Sequence, residues 1–230
     1  MTISVIIPTF NEVAHISELV RFIVQLRRSE ILEVIVVDGG SADDTCMYAE
    51  QAGARVIRLN RCSRAIQLNR GAREAKGDVL YFVHADVKLL ASFVDDILDA
   101  EGEGFCSGCY RYVFDSPKLM LKVNAFFTRF DGIMCRGGDQ TLFVRRLDFQ
   151  SLGGFDESYA IMEDYEFLIR LRRRFAFKII PKNIVVSARK YQENSWLRVQ
   201  IANLFIFIMF FFRRSPIEMK QIYKILLTYR

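Results

Sequence analysis

Several features are missing from this 230-residue chain, and each absence excludes a class of function. There is no long basic tract with interleaved aromatics, which argues against nucleic-acid binding. Neither a Gly-x-Gly-x-x-Gly fingerprint nor a Gly-x-x-x-x-Gly-Lys-Ser/Thr loop occurs, so a phosphate-bearing ligand would not rest on a glycine cradle. No internal repeat, low-complexity tract or long flexible linker is present. Cysteines number five, an odd count that fits a reducing compartment better than a disulfide framework. Cys106 and Cys109 form a Cys-x-x-Cys, but within a strand-like run, Phe105 to Phe114, where positions three apart face opposite sides of a sheet. A structural role is expected for both, because a redox pair usually opens a helix and zinc would need another such pair. The chain opens on a strand, Ile3 to Ile7, which leaves no room for the charged and apolar regions of a signal peptide; cytoplasmic residence is the expectation.

What is present is ample for a core. An apolar fraction of 51% with 26% charged residues suits one globular domain plus an appendage. The formal net charge is +5, with basic residues concentrated in Arg27-Arg28, Arg145-Arg146, Arg172-Arg173-Arg174 and Arg213-Arg214. Such an excess suits anionic ligands or an anionic membrane face, although spaced pairs are more often solvated surface.

The first half alternates between two periods. Strand Ile3 to Ile7 is followed by a helical pattern of Ile16, Leu19, Val20, Ile23 and Leu26, then by strand Val34 to Val37. A helix from about Asp43 to Ala52, strand Arg55 to Leu59, a helix from about Arg64 to Ala75 and strand Val79 to Val83 complete the series, with Ser41 and Asp43 as plausible N-caps. Four such units imply a parallel sheet flanked by helices. Beyond Asp86 the pattern becomes a short helix, an extended segment through Tyr110-Arg111-Tyr112, an apolar helix near Leu119 to Phe130, the loop from Arg136 to Gln140, and a helix from Met162 to Phe175. This half is expected to lie across the sheet as one side of a cleft.

Three of the strands end alike, in a polar cluster: Pro8-Thr9-Phe10-Asn11-Glu12, Asp38-Gly39-Gly40-Ser41, and His84-Ala85-Asp86. If they are parallel neighbours, Thr9, Glu12, Asp38 and Asp86 converge at the sheet's carboxyl edge, where open α/β folds bind ligands. These runs, with Arg64 to Asp78 and Met162 to Arg174, resemble the successive motifs of family 2 glycosyltransferases over roughly residues 1–190. Where that family usually has Asp-x-Asp, this chain has His84-Ala85-Asp86.

The resemblance implies a GT-A fold, with residues 1–190 as the transferase domain and 191–230 as a C-terminal helical segment. It implies an inverting transfer from a nucleotide diphosphate sugar, UDP first and GDP second, to an acceptor hydroxyl. Asp38 would contact the base, Pro8 and Thr9 would line the nucleoside site, and Glu12 would reach the ribose. Arg64 and Asn69 would lie beside the nucleotide, and Asp139-Gln140 near the donor sugar or acceptor. Asp86 would hold Mn²⁺ or Mg²⁺, ions that take oxygen ligands and often need only one or two protein carboxylates. A lone His84 is more often a hydrogen-bonding residue than a ligand. Asp164, beside Glu163 at a helix start, would be the catalytic base, its charge favoured by the helix dipole.

Blander readings stand beside these: Asp38 as a turn cap, Arg64 as a surface charge, and Glu163-Asp164 as helix caps. Other functions are a nucleotidyltransferase, which would normally carry a glycine- and lysine-rich phosphate loop, and a non-catalytic nucleotide-sugar-binding subunit of a membrane complex. The apolar run Ile201 to Phe212 would cover about 18 Å as a helix, short of a hydrocarbon core of about 30 Å. It is expected to meet a membrane interface with Trp196, Arg198 and Arg213-Arg214 as anchors, to form a homodimer contact, or to pack on the domain. A lipid-linked acceptor would give the first of these a purpose.

Overall fold

In the computed structural model, which describes residues 1–60, 62–136 and 140–228, the N-terminal apolar runs become four parallel strands with helices between them. They are β1 (Ile3–Thr9), α1 (Ile16–Gln25), β2 (Ile31–Asp38), α2 (Thr45–Gln51), β3 (Arg55–Arg58), α3 (Arg64–Glu74) and β4 (Val79–Phe82). The second half contributes α4 (Phe93–Gly102), β5 (Ser107–Phe114), α5 (Leu119–Phe127), a 3-10 turn (Ile133–Cys135), β6 (Leu142–Arg145), α6 (Arg146–Ser151), α7 (Glu163–Arg172) and β7 (Phe177–Val186). Three helices follow: α8 (Lys190–Glu193), α9 (Trp196–Phe211) and α10 (Pro216–Leu226).

The strands form one sheet in the order β3-β2-β1-β4-β6-β5-β7. β6 runs antiparallel to both neighbours, while the other pairings are parallel. The second half therefore extends the sheet rather than lying across it. β7 escapes a pattern reading because Pro181 interrupts it. Pairing with β5 steps from Tyr110↔Ile180 to Arg111↔Asn183, so Pro181 and Lys182 bulge out of an edge strand, where a missing N–H is tolerated.

Helices on both faces explain why the central strands are continuously apolar. Ile3, Val5 and Ile7 of β1, with Val34, Val36, Val79 and Tyr81, pack on one face against α1 and α4. Ile6, Ile35, Val37, Leu80 and Phe82 pack on the other, against α3, α6 and α7. On that second face α3 sits directly on β1. A Cβ at Gly71 would lie 2.5 Å from Ile6 Cγ2, and a branched side chain in a filled core cannot retreat. Gly71→Ala is expected to cost about 1–3 kcal/mol, read as a lower urea midpoint with an unchanged m-value. An unaltered midpoint would show that α3 can lift off the sheet freely.

The loop after β2 differs from the expected capping. Ser41 caps no helix: its Oγ donates to Asp38 Oδ1 at 2.5 Å and accepts the Asn11 N–H at 2.8 Å. Helix α2 begins two residues later than expected, at Thr45, whose N–H donates to Asp43 Oδ1 at 3.1 Å. Ser41 is thus used to knit two loops together.

From Ile201 onward α9 is apolar on nearly every side, and its two faces have different fates. Val199, Ala202, Ile206 and Met209 are buried, the last two packing with Met219 of α10 against Tyr159, Ile161 and Met162. Leu197, Ile201, Leu204, Phe205, Ile208 and Phe212 are exposed. No helix among the described residues is long and apolar enough to cross a membrane.

Candidate active site at the carboxyl edge of the sheet

Parallel order places the ends of β2, β1 and β4 side by side, and the polar clusters that follow them meet. Pro8 faces the β4 side of β1 two residues past the last paired position, Ile6↔Phe82, so its absent N–H leaves no ladder bond unmade and its ring lines the cleft. Thr9 and Asp38 are both buried, and Thr9 Oγ1 donates to Asp38 Oδ1 at 3.1 Å. Asp38 Oδ2 also accepts the Gly40 and Ser41 N–H groups at 3.0 and 2.8 Å. The carboxylate is therefore a turn cap as well as a strand-end acid, and its Ser41 hydroxyl bond is the one a rotation could release.

Two loops interlock over this floor. Asn11, in the left-handed region at φ 55°, accepts the Ala42 N–H on Oδ1 at 2.9 Å, and the Glu12 N–H donates to Thr45 Oγ1 at 2.8 Å. Glu12 is buried, with its carboxylate gripped by Arg189. Gln67 of α3, absent from the sequence-derived site, joins the strand ends from below: Nε2 donates to the Thr9 and Val37 carbonyls at 2.7 and 2.8 Å.

The third cluster holds an unusual histidine. Burial, and then the guanidinium charges of Arg64 and Arg189, push the His84 imidazole down to about 3, so it is neutral at any physiological pH. Beside it Asp86 is partly open, with Oδ2 3.2 Å from Arg189 Nε. A single hard carboxylate suits a divalent ion that draws its other ligands from phosphate and water. Among the described residues no group of three His, Cys, Asp or Glu side chains forms a ready cage.

Across the cleft α7 presents Glu163 and Asp164 in its first turn, where exposed N–H groups favour carboxylates. The preceding Met162 is held at φ 68°, a left-handed conformation costing about 1–2 kcal/mol in a residue with a Cβ. Such strain persists only where packing imposes it, and Met162 is packed beneath α9 and α10. Tyr165 is braced likewise, edge-on to Phe207 with ring centroids 4.6 Å apart.

Arg64 does not face an open ligand site as a lone charge. Its Nε is ion-paired with Glu163 Oε1, and Nη2 lies 3.8 Å from Asp164 Oδ2. Glu163 is 1% exposed, and its Oε2 is buried with no hydrogen-bond partner among the described residues, although Glu163 lines the cleft. An orphaned carboxylate oxygen in a concave wall is a costly feature in search of a donor. Asp164 is more open, accepting the Tyr165 N–H on Oδ1 at 2.9 Å.

Asn69 is not brought to this group. Its amide donates to the Phe155 carbonyl at 2.8 Å and to Glu157 at 3.0 Å, and its oxygen accepts the Phe155 N–H at 2.9 Å. It pins the turn at Gly154, where φ is +73° and a Cβ would come within 2.7 Å of that same oxygen. Gln140 lines the cleft with Thr141 and Cys109. Asp139 lies outside the described residues. Cys106 and Cys109 are free thiols, and burial pushes Cys109 up to about 11, so neither is poised as a nucleophile.

Comparison with known proteins agrees with this arrangement. The sequence model described as Glycosyl transferase family 2 matches residues 4–164. A PGL/p-HBAD biosynthesis glycosyltransferase of Mycobacterium bovis is 28% identical over 205 residues, 80% of this chain and 75% of the relative. Glucosyl-3-phosphoglycerate synthase of Mycobacterium tuberculosis is 31% identical over 123 residues, 48% of this chain. That match spans only 38% of the synthase's length. The synthase in complex with Mn²⁺, UDP-glucose and phosphoglyceric acid superposes with a TM-score of 0.57 at 22% identity, covering 80% of this chain and 70% of that one. A mannosyltransferase of Pyrobaculum calidifontis in complex with GDP-mannose and Mn²⁺ gives a TM-score of 0.67 at 18% identity, covering 89% and 61%. Likeness at that identity speaks for the fold, and the family match over most of the chain speaks for descent: this chain belongs to glycosyltransferase family 2.

Proposed function

We propose that the chain is an inverting glycosyltransferase that moves a sugar from a nucleoside diphosphate sugar, UDP first and GDP second, to an acceptor hydroxyl. The observation that carries this reading is the gathering of Thr9, Glu12, Asp38 and Asp86 at one sheet edge, next to a cleft that Pro8 and His84 of that edge line together with Glu163 and Asp164 of α7. Solved relatives holding UDP-glucose and GDP-mannose support the choice of donors.

In this reading Asp38 accepts an N–H of the base after Ser41 turns away, and Glu12 accepts the ribose hydroxyls. Asp164 takes the acceptor's proton as that oxygen attacks the anomeric carbon from the face opposite the diphosphate; the bond to the diphosphate breaks and the configuration inverts. The unpartnered Oε2 of Glu163 receives a sugar hydroxyl, with Arg64 holding the carboxylate still. A divalent cation, when bound beside Asp86, neutralises the leaving diphosphate. The test is a thermal-shift panel of nucleoside diphosphates with and without Mn²⁺, since a specific ligand stabilises by mass action. Release of free nucleoside diphosphate on adding acceptor then separates an enzyme from a binding subunit.

The outer face of α9 supports an acceptor presented at an anionic membrane surface. Residues 195–230 carry six basic residues and one acidic, whereas residues 1–194 carry 26 of each, so the whole net charge sits in this segment. Two copies meeting through it would oppose like charges, while anionic lipid would attract them. At 16 residues α9 is about 24 Å long and suits the interface plane rather than a crossing. Full-length protein is expected to float with phosphatidylglycerol vesicles and not with phosphatidylcholine vesicles, and Phe205→Glu should abolish flotation without lowering the melting temperature. A soluble dimer that ignores both vesicle types would replace the membrane by a second copy.

A further inference from the structure

The cation that no motif announces is Arg189. It lies between β7 and α8 on a backbone fixed from both sides: the Ala188 N–H donates to Asp115 Oδ1 at 2.6 Å, and the buried Tyr191 ring meets Phe114 with centroids 5.4 Å apart. The side chain is half exposed and reaches back to the sheet edge. Its Nη1 and Nη2 donate to Glu12 Oε2 and Oε1 at 2.8 and 2.6 Å, and its Nε stands 3.2 Å from Asp86 Oδ2. One planar fork spans the two carboxylates that the proposed function assigns to ribose and to the leaving group.

Two carboxylates turned into one cleft repel each other, and the guanidinium supplies their counter-charge. A nucleoside diphosphate entering this edge would change that balance. Its ribose hydroxyls would take the Glu12 oxygens, and its phosphates would offer acceptors that a guanidinium fork fits as well as it fits carboxylate. The fork would then pass from the acids to the phosphates with little movement, still charged at any working pH.

We propose that Arg189 is a diphosphate-binding residue, held ready by Glu12 and Asp86 and transferred to the leaving group when the donor enters. The proposal rests on the glycosyl-transfer reading and deepens it. When the bond from the anomeric carbon to the β-phosphate oxygen breaks, the electron pair stays on that oxygen, and Arg189 stabilises it by donated hydrogen bonds without losing a proton. A guanidinium at this edge supplies leaving-group stabilisation that does not depend on a metal.

The experiment is calorimetric titration of uridine, UMP and UDP, or the guanosine series if that one stabilises the protein, in EDTA and in Mn²⁺. Wild type should gain affinity from nucleoside to diphosphate even in EDTA. Arg189→Ala should lose about tenfold or more of its diphosphate affinity in EDTA while keeping nucleoside affinity. Arg189→Lys, which keeps charge without the fork, should fall between. Equal loss for nucleoside and diphosphate would make Arg189 a strut of the cleft and overturn the assignment. So would a wild type that in EDTA binds diphosphate no better than nucleoside, a result that needs no variant to fold. Wild type that binds neither series in either condition would overturn the donor reading itself.

Discussion

Asp164→Asn should keep nucleotide affinity and lose transfer by about 10²-fold or more, the effect of removing a positioned general base. The amide is isosteric, so its oxygen can still accept the Tyr165 N–H that the carboxylate accepts at 2.9 Å. The pairing with Arg64 is long, at 3.8 Å to Nη2, and Asp164 is 23% exposed, so little stability rides on its charge. Steady-state transfer, calorimetric nucleotide binding and thermal unfolding of the same sample decide the matter. Near-normal transfer with a lowered melting temperature would reduce Asp164 to a helix cap. Glu163→Gln makes the useful contrast, because Glu163 is 1% exposed and carries the close pair with Arg64. That variant should lose stability as well as transfer, although by less than the about 3–5 kcal/mol of a fully buried broken pair, since Arg64 is 32% exposed and can recover water.

Asp86→Ala should weaken diphosphate binding far more in Mn²⁺ than in EDTA, because only the first condition includes an ion for Asp86 to hold. In EDTA the two proteins should differ little, since Glu12 alone still holds Arg189 ready for the phosphates. Calorimetry in both conditions measures the difference directly. Equal loss in both would reject the metal role of Asp86 and leave it as a partner of Arg189 alone. His84→Ala should have the smaller effect, a neutral imidazole being a poor substitute for a carboxylate toward a hard ion. A larger effect than that of Asp86→Ala would transfer the ligand role to His84.

The sheet edge was legible in the sequence because parallel order is a consequence of alternation. Once four apolar runs are separated by helical patterns, the polar residues ending β1, β2 and β4 must share an edge, and Thr9, Glu12, Asp38 and Asp86 do. The opposite wall was legible only as a pair of acids at a helix start. Its support was not: Arg64 lies far from Glu163 in sequence, and nothing local distinguishes an arginine aimed at a ligand from one aimed at a carboxylate. Asn69 misled for the same reason, since its neighbours on α3 face the strand ends while it faces Phe155. β7 hid behind Pro181, and Arg189 sits in a short connection with no periodicity to read. For α9 the difficulty was physical rather than a lack of signal. A helix apolar on nearly every side carries little information about which side is inward, and the residues it meets, among them Leu121, Ala188, Tyr191 and Tyr159, decide it.

Glu12 and Arg189 stand 177 residues apart in the chain. On a ribosome adding about 5–20 residues per second, the strand ends that bear Glu12 and Asp86 are made several seconds before the guanidinium that balances them. A nascent or truncated chain that stops short of residue 189 therefore holds Glu12 and Asp86 without the counter-charge they share in the finished molecule. If Arg189 binds the diphosphate as proposed, this one late arginine completes the site, and nucleotide present during synthesis should favour only chains that have it.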